Sequence, residues 1–517
     1  MKRFFSILLS VLLAGMLCAC ETEKAPYTPT GAGLTWDEDY TGPVNQPEKE
    51  ESNQSLKLTY YPERSMNPYS CTDFTNRALF TLLYQSLFSV DRSYNIEPQL
   101  CKNYQISEDM KHYTFYLHNA RFTDGTALTA EDVVASLLTA KESVYYSGRF
   151  THITGINQTD DGGVAITVDT PMENLPLLLD IPIIKQTELL ADTPMGTGPY
   201  YLDAGTQNPV LRRNSNWWCE ADLVVTAPAI TLVAAQSIAG IRDSFEFDGL
   251  SLVCADPGSD RYADYRCDYE LWDCESGIFL YLSCNMESEV FSNATVRSAL
   301  TFAIDRDTLA ADYYRGFARS ATLPVSPQSP YYSSNLASKY AYDGGEKFTQ
   351  AVIDASKSRA EIVLLVNKDD SLRLRVARDI ADMLIACGLK VTMAEKSTSA
   401  CQSALKKKEF DLYLGQTKLS PNMDLGVFFA AKGALNYGGI SDVALNTLCT
   451  ESLANYGNYY TLYKNIMDDG RLCPILFRSY AVYATRGLLT GLTPARDSVF
   501  YYSLGRSMEN ALLSPEK

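Results

Sequence analysis

The stretch from 361 to 414 constrains the fold more than any other part of this 517-residue chain. Ile362-Val363-Leu364-Leu365-Val366 is a short continuous apolar run and reads as a buried strand. Asp370 or Ser371 can cap a following helix, in which Leu372, Val376, Ile380 and Met383 recur at helical spacing and Gly388 supplies the stop. A second strand over 389–393, a second helix over 401–408 and a third strand, Phe410-Asp411-Leu412-Tyr413-Leu414, complete the series. Strands joined by helical crossovers pair in parallel, so this part is α/β.

At 517 residues the chain exceeds what one hydrophobic core usually serves, so two or more lobes are expected. Leu56-Lys57-Leu58-Thr59-Tyr60 alternates as a strand, 78–87 reads as a helix, and Tyr113-Thr114-Phe115-Tyr116-Leu117 alternates again. Thr129-Ala130-Glu131-Asp132 has the spacing of a capping box, and Val133, Val134 and Leu137 continue its apolar face. Asp124-Gly125 and Asp160-Asp161-Gly162-Gly163 read as turns, the latter closing a hairpin. No internal repeat is evident.

The first twenty residues speak to the compartment. Lys2 and Arg3 precede an apolar run from 4 to 17, too short to span a bilayer comfortably, as in a secretory leader. Leu17-Cys18-Ala19-Cys20 then resembles a bacterial lipobox, with Cys20 the lipidated residue. The segment 21–55 is rich in Pro, Glu, Gly, Thr and Asn and poor in aliphatics, so it is expected to be a flexible tether. Of 13 cysteines, Cys18 and Cys20 belong to this leader, which leaves an odd 11 and at least one thiol without an internal partner. Cys267–Cys274 is one candidate disulfide; spacing does not settle connectivity.

Chemistry of other kinds finds little support. A net charge of −17 with no basic stripe argues against nucleic acid. There is no GxSxG, HExxH or GxxxxGK, and no CxxC pair for zinc. His112 and His118 flank one strand and read as a solvated edge; His152 is the histidine that could coordinate a metal or chelate in a cleft. No cofactor is expected, and no enzyme activity. A secreted hydrolase would need a carboxylate pair or activated nucleophile that no motif supplies.

Several motifs converge on one family. Phe122-Thr123-Asp124-Gly125-Thr126-Ala127-Leu128-Thr129-Ala130-Glu131-Asp132-Val133 resembles the signature of family 5 extracellular solute-binding proteins, the oligopeptide-, dipeptide- and nickel-binding group. Met66-Asn67-Pro68, Leu83-Tyr84-Gln85-Ser86-Leu87-Phe88, Gly196-Thr197-Gly198-Pro199-Tyr200, and Asn214 with Trp217-Trp218 follow in the expected order. So do Val296-Arg297-Ser298-Ala299-Leu300, Ala303-Ile304-Asp305-Arg306, Phe410-Asp411-Leu412 and Cys473-Pro474-Ile475-Leu476. Each has a structural job: Gly198-Pro199 shapes a turn, and Asn293 caps a helix.

The resemblance implies a two-lobed, periplasmic-binding-protein-like clamp. Lobe I would hold 56–273 plus the return 477–517, with an extra subdomain at 81–192; lobe II would hold 276–476, and crossings near 274–278 and 474–478 would hinge them. It implies a monomeric, membrane-anchored receptor that captures a peptide or other small-molecule solute and delivers it to the permease subunits of an ABC transporter. Metal chelates, oligosaccharides and anionic solutes are alternative ligands, and a surface adhesin or signalling receptor is an alternative use of the fold. By resemblance the cleft is lined by Thr72 and Phe74 from lobe I, Tyr146 and Arg149 from the subdomain, Gly415, Gln416, Thr417 and Lys418 after the strand ending at Leu414, and Arg478 and Tyr480 on the return. One departure stands out. Peptide binders of this family place an aspartate soon after that strand to meet the peptide amine, whereas here Thr417 and Lys418 occupy the place. Either Asp424 or Asp73 substitutes, or the ligand lacks a free amine.

Overall fold

The computed structural model describes residues 56–513, except 206–207, 236, 260–264 and 490; the leader, Cys20 and the tether lie outside the described residues. Its framework is an eleven-stranded mixed sheet. At one edge Glu361–Asn367 runs parallel to both Lys390–Lys396 and Leu412–Lys418, the pairing that the strand–helix alternation requires. The connecting helix Ser371–Ala386 is capped by Asp370, whose carboxylate accepts from the Arg373 amide at 2.9 Å. Leu372, Val376, Ile380 and Leu384 form its buried stripe, a strict four-residue step on which Leu384 replaces the expected Met383.

Toward the other edge Leu56–Tyr60 pairs in parallel with Ala229–Ala234 and Leu252–Ala255. Two long antiparallel strands, Tyr269–Cys284 and Cys473–Thr485, cross between these halves. On one side they pack in a core with Leu58, Leu232 and Leu252; on the other, in a core with Ile362, Leu364 and Leu412. The ladder slips between them. Glu275 faces Ser479 and Ile278 faces Arg478, leaving Ser276 and Gly277 as a bulge in which Gly277 takes φ +66°. The result is a two-lobed α/β fold.

A four-stranded antiparallel sheet, in the order Cys101–Ile106, His112–Leu117, Val164–Val168, Ile153–Gln158, forms a subdomain with the helix Ala130–Lys141. Thr129 and Asp132 make the expected reciprocal capping box. Gly162, at φ +83°, closes the 153–168 hairpin.

Three expectations are corrected. The segment 78–87 is not one helix: after a separate single turn at Phe74–Arg77 it holds one turn at Phe80–Leu83, then extended chain. Distant residues claim its polar groups. The Gly198 amide donates to the Leu83 carbonyl at 3.0 Å, the Ile183 amide to the Gln85 carbonyl, and the Trp218 indole to the Gln85 side chain at 2.7 Å. Cys267 and Cys274 are not joined; all eleven cysteines among the described residues are free thiols. Extended chain separates the two, and the Cys274 thiol turns inward to the Ala495 carbonyl at 3.0 Å. Finally, the third strand does not stop at Leu414 but continues to Lys418, because its polar end still pairs with Tyr281 through Ile278.

The family-like motifs thus meet each other in space. Gly198 shows how tightly: a Cβ there would lie 2.4–2.6 Å from the backbone of Leu82 and Leu83. Gly198→Ala is expected to cost about 1–3 kcal/mol, read as a lower urea midpoint with an unchanged slope. Because no thiol among the described residues is paired, excess dithiothreitol is expected to leave the melting temperature unchanged.

Candidate functional site

The site is built where the bulge brings both lobes and the subdomain together. Lys418, the last residue of its strand, sits opposite Ile278 beside the bulge. Its ammonium donates to the Tyr145 hydroxyl and to Asp497, each at 2.6 Å, and so ties lobe II to the subdomain and to the C-terminal return. Burial drives its pKa down to about 7, with Asp497 pulling upward and Arg496 pushing further down. Arg77 lies 3.2 Å over the Tyr145 ring and donates to the Tyr146 hydroxyl at 2.8 Å and to the carbonyls of Pro68 and Cys71. Arg149 pairs with Asp180; desolvation, then the nearby Arg496, lowers its pKa to about 10. Arg496 donates to the Leu419 carbonyl.

A cavity of about 330 Å³ opens between the subdomain and lobe II, lined by Tyr145, Arg149, Thr417, Lys418, Asp424 and Arg496. A smaller one of about 90 Å³ is lined by Arg77, Tyr146, Asp180 and Asp497 and shares Tyr145, Arg149 and Arg496 with the first. A third, of about 220 Å³, lies in lobe I beside Asp73, Phe74, Cys254 and Asp256.

The expected residues divide among these places. Thr417 and Lys418 line the large cavity, Arg149 lines both it and the smaller one, and Tyr146 lines the smaller one alone. Phe74 lines the lobe I cavity and stacks on Tyr480 at 3.6 Å between ring centres. Arg478 is held by both oxygens of Asp256 at 2.7 and 2.8 Å and donates to Gln416 at 3.0 Å, so these two side chains face each other. Gly415 is a packing residue, since a Cβ there would meet the Tyr281 ring at 2.5 Å. Thr72 is exposed and lines none of the three cavities.

Sequence reasoning missed Arg77, Tyr145, Asp180, Arg496 and Asp497. Tyr145 was signalled only by adjacency to Tyr146, and the rest by no motif.

A second set of ties lies alongside. His152 Nε2 is 3.2 Å from Asp424 of lobe II and Nδ1 is 3.0 Å from Asp169 of its own subdomain. Asn174 donates to the Tyr331 hydroxyl at 3.0 Å, and Tyr94 to Glu275 at 2.6 Å. His118 is not on a solvated edge: it is half-buried beside Trp218, and desolvation, then Arg506, lowers its pKa to about 4. Among the described residues no cluster of His, Cys, Asp and Glu could hold a metal ion.

Burial opposes a charge on His152, but the hydrogen bonds and field of Asp424, then of Asp169, outweigh it and raise its pKa. A raised histidine contributes stability that is complete below its unfolded pKa and disappears as pH rises through the folded one. His152→Gln should therefore lower the melting temperature most at acid pH, with the gap to wild type closing as pH rises above about 6.5. An equal gap at all pH values would mean that the ring only packs.

Two lobes joined by a pair of long strands, an inserted subdomain and polar cavities at their meeting point define a clamp-type solute-binding protein. The chain belongs to the bacterial extracellular solute-binding proteins, family 5; the sequence model of that family's middle region matches residues 95–436. The glutathione-binding protein GsiB of Escherichia coli (strain K12) is 26% identical over 294 residues, 52% of this chain and 56% of that protein. The chain thus matches only about half the length of such relatives.

Solved structures share the fold along most of the chain. The ABC transporter substrate-binding protein CtaP of Listeria monocytogenes superposes with a TM-score of 0.70 at 17% identity, covering 86% of this chain and 97% of that one. NikA of Brucella suis, in complex with Fe(III)-EDTA, gives 0.66 at 18% identity, covering 83% and 95%. The oligopeptide-binding protein AppA of Bacillus subtilis, in complex with a nonapeptide, gives 0.61 at 18% identity, covering 88% and 98%.

Proposed function

We propose that this chain is the solute-capturing subunit of an ABC importer, closing two lobes on a peptide or similarly extended solute and presenting it to the membrane permease. The observation that carries this reading is the bulge at Ser276-Gly277, where the register of two long paired strands shifts as they pass between two cores. A local slip in a continuous ladder is a place where lobes can pivot without losing either core. Residues 56–273 with 477–517 form lobe I, residues 276–476 lobe II, and 81–192 the inserted subdomain. Ligand held between them favours the closed form because only that form contacts it from both sides.

The ligand classes named for similar proteins (glutathione, a nonapeptide, a metal chelate) are small, extended or polar. They support a transport receptor and leave the solute open. Peptide is the leading class; chelates, oligosaccharides and anionic solutes follow. The proposed ligand-lining set is Phe74, Tyr146, Arg149, Thr417 and Lys418, with Arg478, Tyr480, Gly415 and Gln416 behind it; Thr72, which lines none of the three cavities, stands outside the set. The reading includes a monomeric receptor outside the cytoplasmic membrane, held by a lipid on Cys20, with the leader 1–19 removed and 20–55 as tether. Among the described residues no helix is long and apolar enough to cross a membrane.

Mass spectrometry of what co-purifies with the protein, followed by thermal shifts with the recovered compounds, tests the receptor. A ligand at a hundredfold excess over Kd stabilises the folded state by about 2.7 kcal/mol. A stabilising solute recovered unchanged is expected; turnover of that solute would contradict the transport reading. Cys20→Ala is expected to release the protein from membranes into the soluble fraction, and continued detergent-dependent anchoring would contradict the lipid anchor.

A further inference from the structure

Four cations line the two adjoining cavities that share Tyr145, Arg149 and Arg496: Arg77, Arg149, Lys418 and Arg496. Three carboxylates line them too, and each already has a partner of its own. Asp180 pairs with Arg149 and Asp497 with Lys418, while Asp424 faces His152, which is a cation when protonated. Arg77 spends its donors on two carbonyls and a tyrosine hydroxyl, which offset burial without neutralising charge. Arg496 is less provided for. It is only 4% exposed, one nitrogen donates to the Leu419 carbonyl, and Nε and Nη1 have no hydrogen-bond partner among the described residues. Burial works against its charge, yet the surrounding Tyr94, Asp497 and Glu275 hold its pKa raised, so it remains a guanidinium.

A buried guanidinium carries five donors and no acceptor, and a carboxylate or phosphate is the group that matches its fork. Arg496 lines both cavities, with Arg149 beside it and Lys418 across the larger one. The carboxylates that could have met a ligand amine are engaged elsewhere. Asp73 caps the Phe74–Arg77 turn and pairs with Arg64 at 3.1 Å; Asp424 faces His152 and accepts from the Gly426 amide.

We infer that the solute carries an anionic group, a carboxylate or a phosphate, which seats between Arg496, Arg149 and Lys418 in place of the amine-recognition contact of a peptide receptor. The inference rests on the solute-capture reading and specifies its ligand. Bound there, the anion also favours the charged form of Lys418, whose pKa burial lowers to about 7. Binding slightly above neutral pH therefore takes up a proton.

Calorimetric titration of the full-length protein in detergent tests this with matched probes: acetate, citrate, inorganic phosphate, trialanine, its C-terminal amide and its N-acetyl derivative. Anionic probes are expected to bind. Acetylating the amine should change Kd by less than about threefold, whereas amidating the carboxylate should weaken binding about tenfold or more. Arg496→Met should weaken the anionic probes by a similar factor, with Arg496→Lys intermediate and the unliganded melting temperature of both reported alongside. The acid-against-amide comparison uses wild-type protein, so it decides the matter even if Arg496→Met fails to fold. Proton uptake, read from two buffers of different ionisation enthalpy, should accompany binding. Phosphate binding without carboxylates would assign a phosphate ester, and the reverse a carboxylic acid. Amide binding as tightly as acid, or no anionic probe binding at millimolar concentration, would overturn the inference. If neutral or amine-bearing probes bind in that case, solute capture stands; if no class binds, both readings fall.

Discussion

Everything in this molecule hangs on the pairing of Tyr269–Cys284 with Cys473–Thr485. These strands belong to both cores at once, so their ladder sets the relation between the lobes and decides which side chains meet between them. The bulge at Ser276-Gly277 interrupts the ladder where it passes between the cores, and a second register shift follows at Leu280/Tyr281. At the bulge Ser276 is bound through its hydroxyl to the Arg478 carbonyl, and Asp497 reaches the same region through its amide on the Glu275 carbonyl. Lys418 arrives alongside because its own strand pairs with the segment just beyond the bulge. The proposed hinge and the proposed site are therefore one piece of structure.

That arrangement explains why so much charge is buried at the meeting point. Ion pairs in a low-dielectric place are poor sources of stability, since desolvation offsets much of their attraction. They do make this arrangement specific, because Lys418 can satisfy Tyr145 and Asp497 only when the three segments that carry them lie together. His152 with Asp424 adds a second contact of the same kind. A surplus of guanidinium beside these pairs gives the cavities a preference for one charge sign, which shape alone would not.

The fold was legible wherever local pattern and tertiary structure agree. The strand–helix–strand alternation from 361 onward, the Asp370 and Asn293 caps, the Thr129 capping box and the hairpin turn at Gly162 all depend on neighbours within a few residues. Failures came where a distant partner prevails. Helical periodicity at 78–87 yields to the claims of Gly198, Ile183 and Trp218 on Leu83 and Gln85. Gly415 through Lys418 lack apolar alternation, yet pair as strand because Tyr281 through Ile278 lie beside them. The site followed the same rule. Lys418 was named only through the family resemblance, whereas Arg77, Arg496 and Asp497 are ordinary charged residues until tertiary packing buries the two arginines and brings the aspartate against Lys418.

Small-angle scattering of residues 56–517, stripped of solute and then saturated with the co-purified one, tests the central claim most directly. The account predicts a more extended stripped protein whose radius of gyration falls on saturation as the lobes close about the bulge. An unchanged radius of gyration in the presence of demonstrated binding would contradict it, and would make the bulge a fixed corner between two immobile lobes.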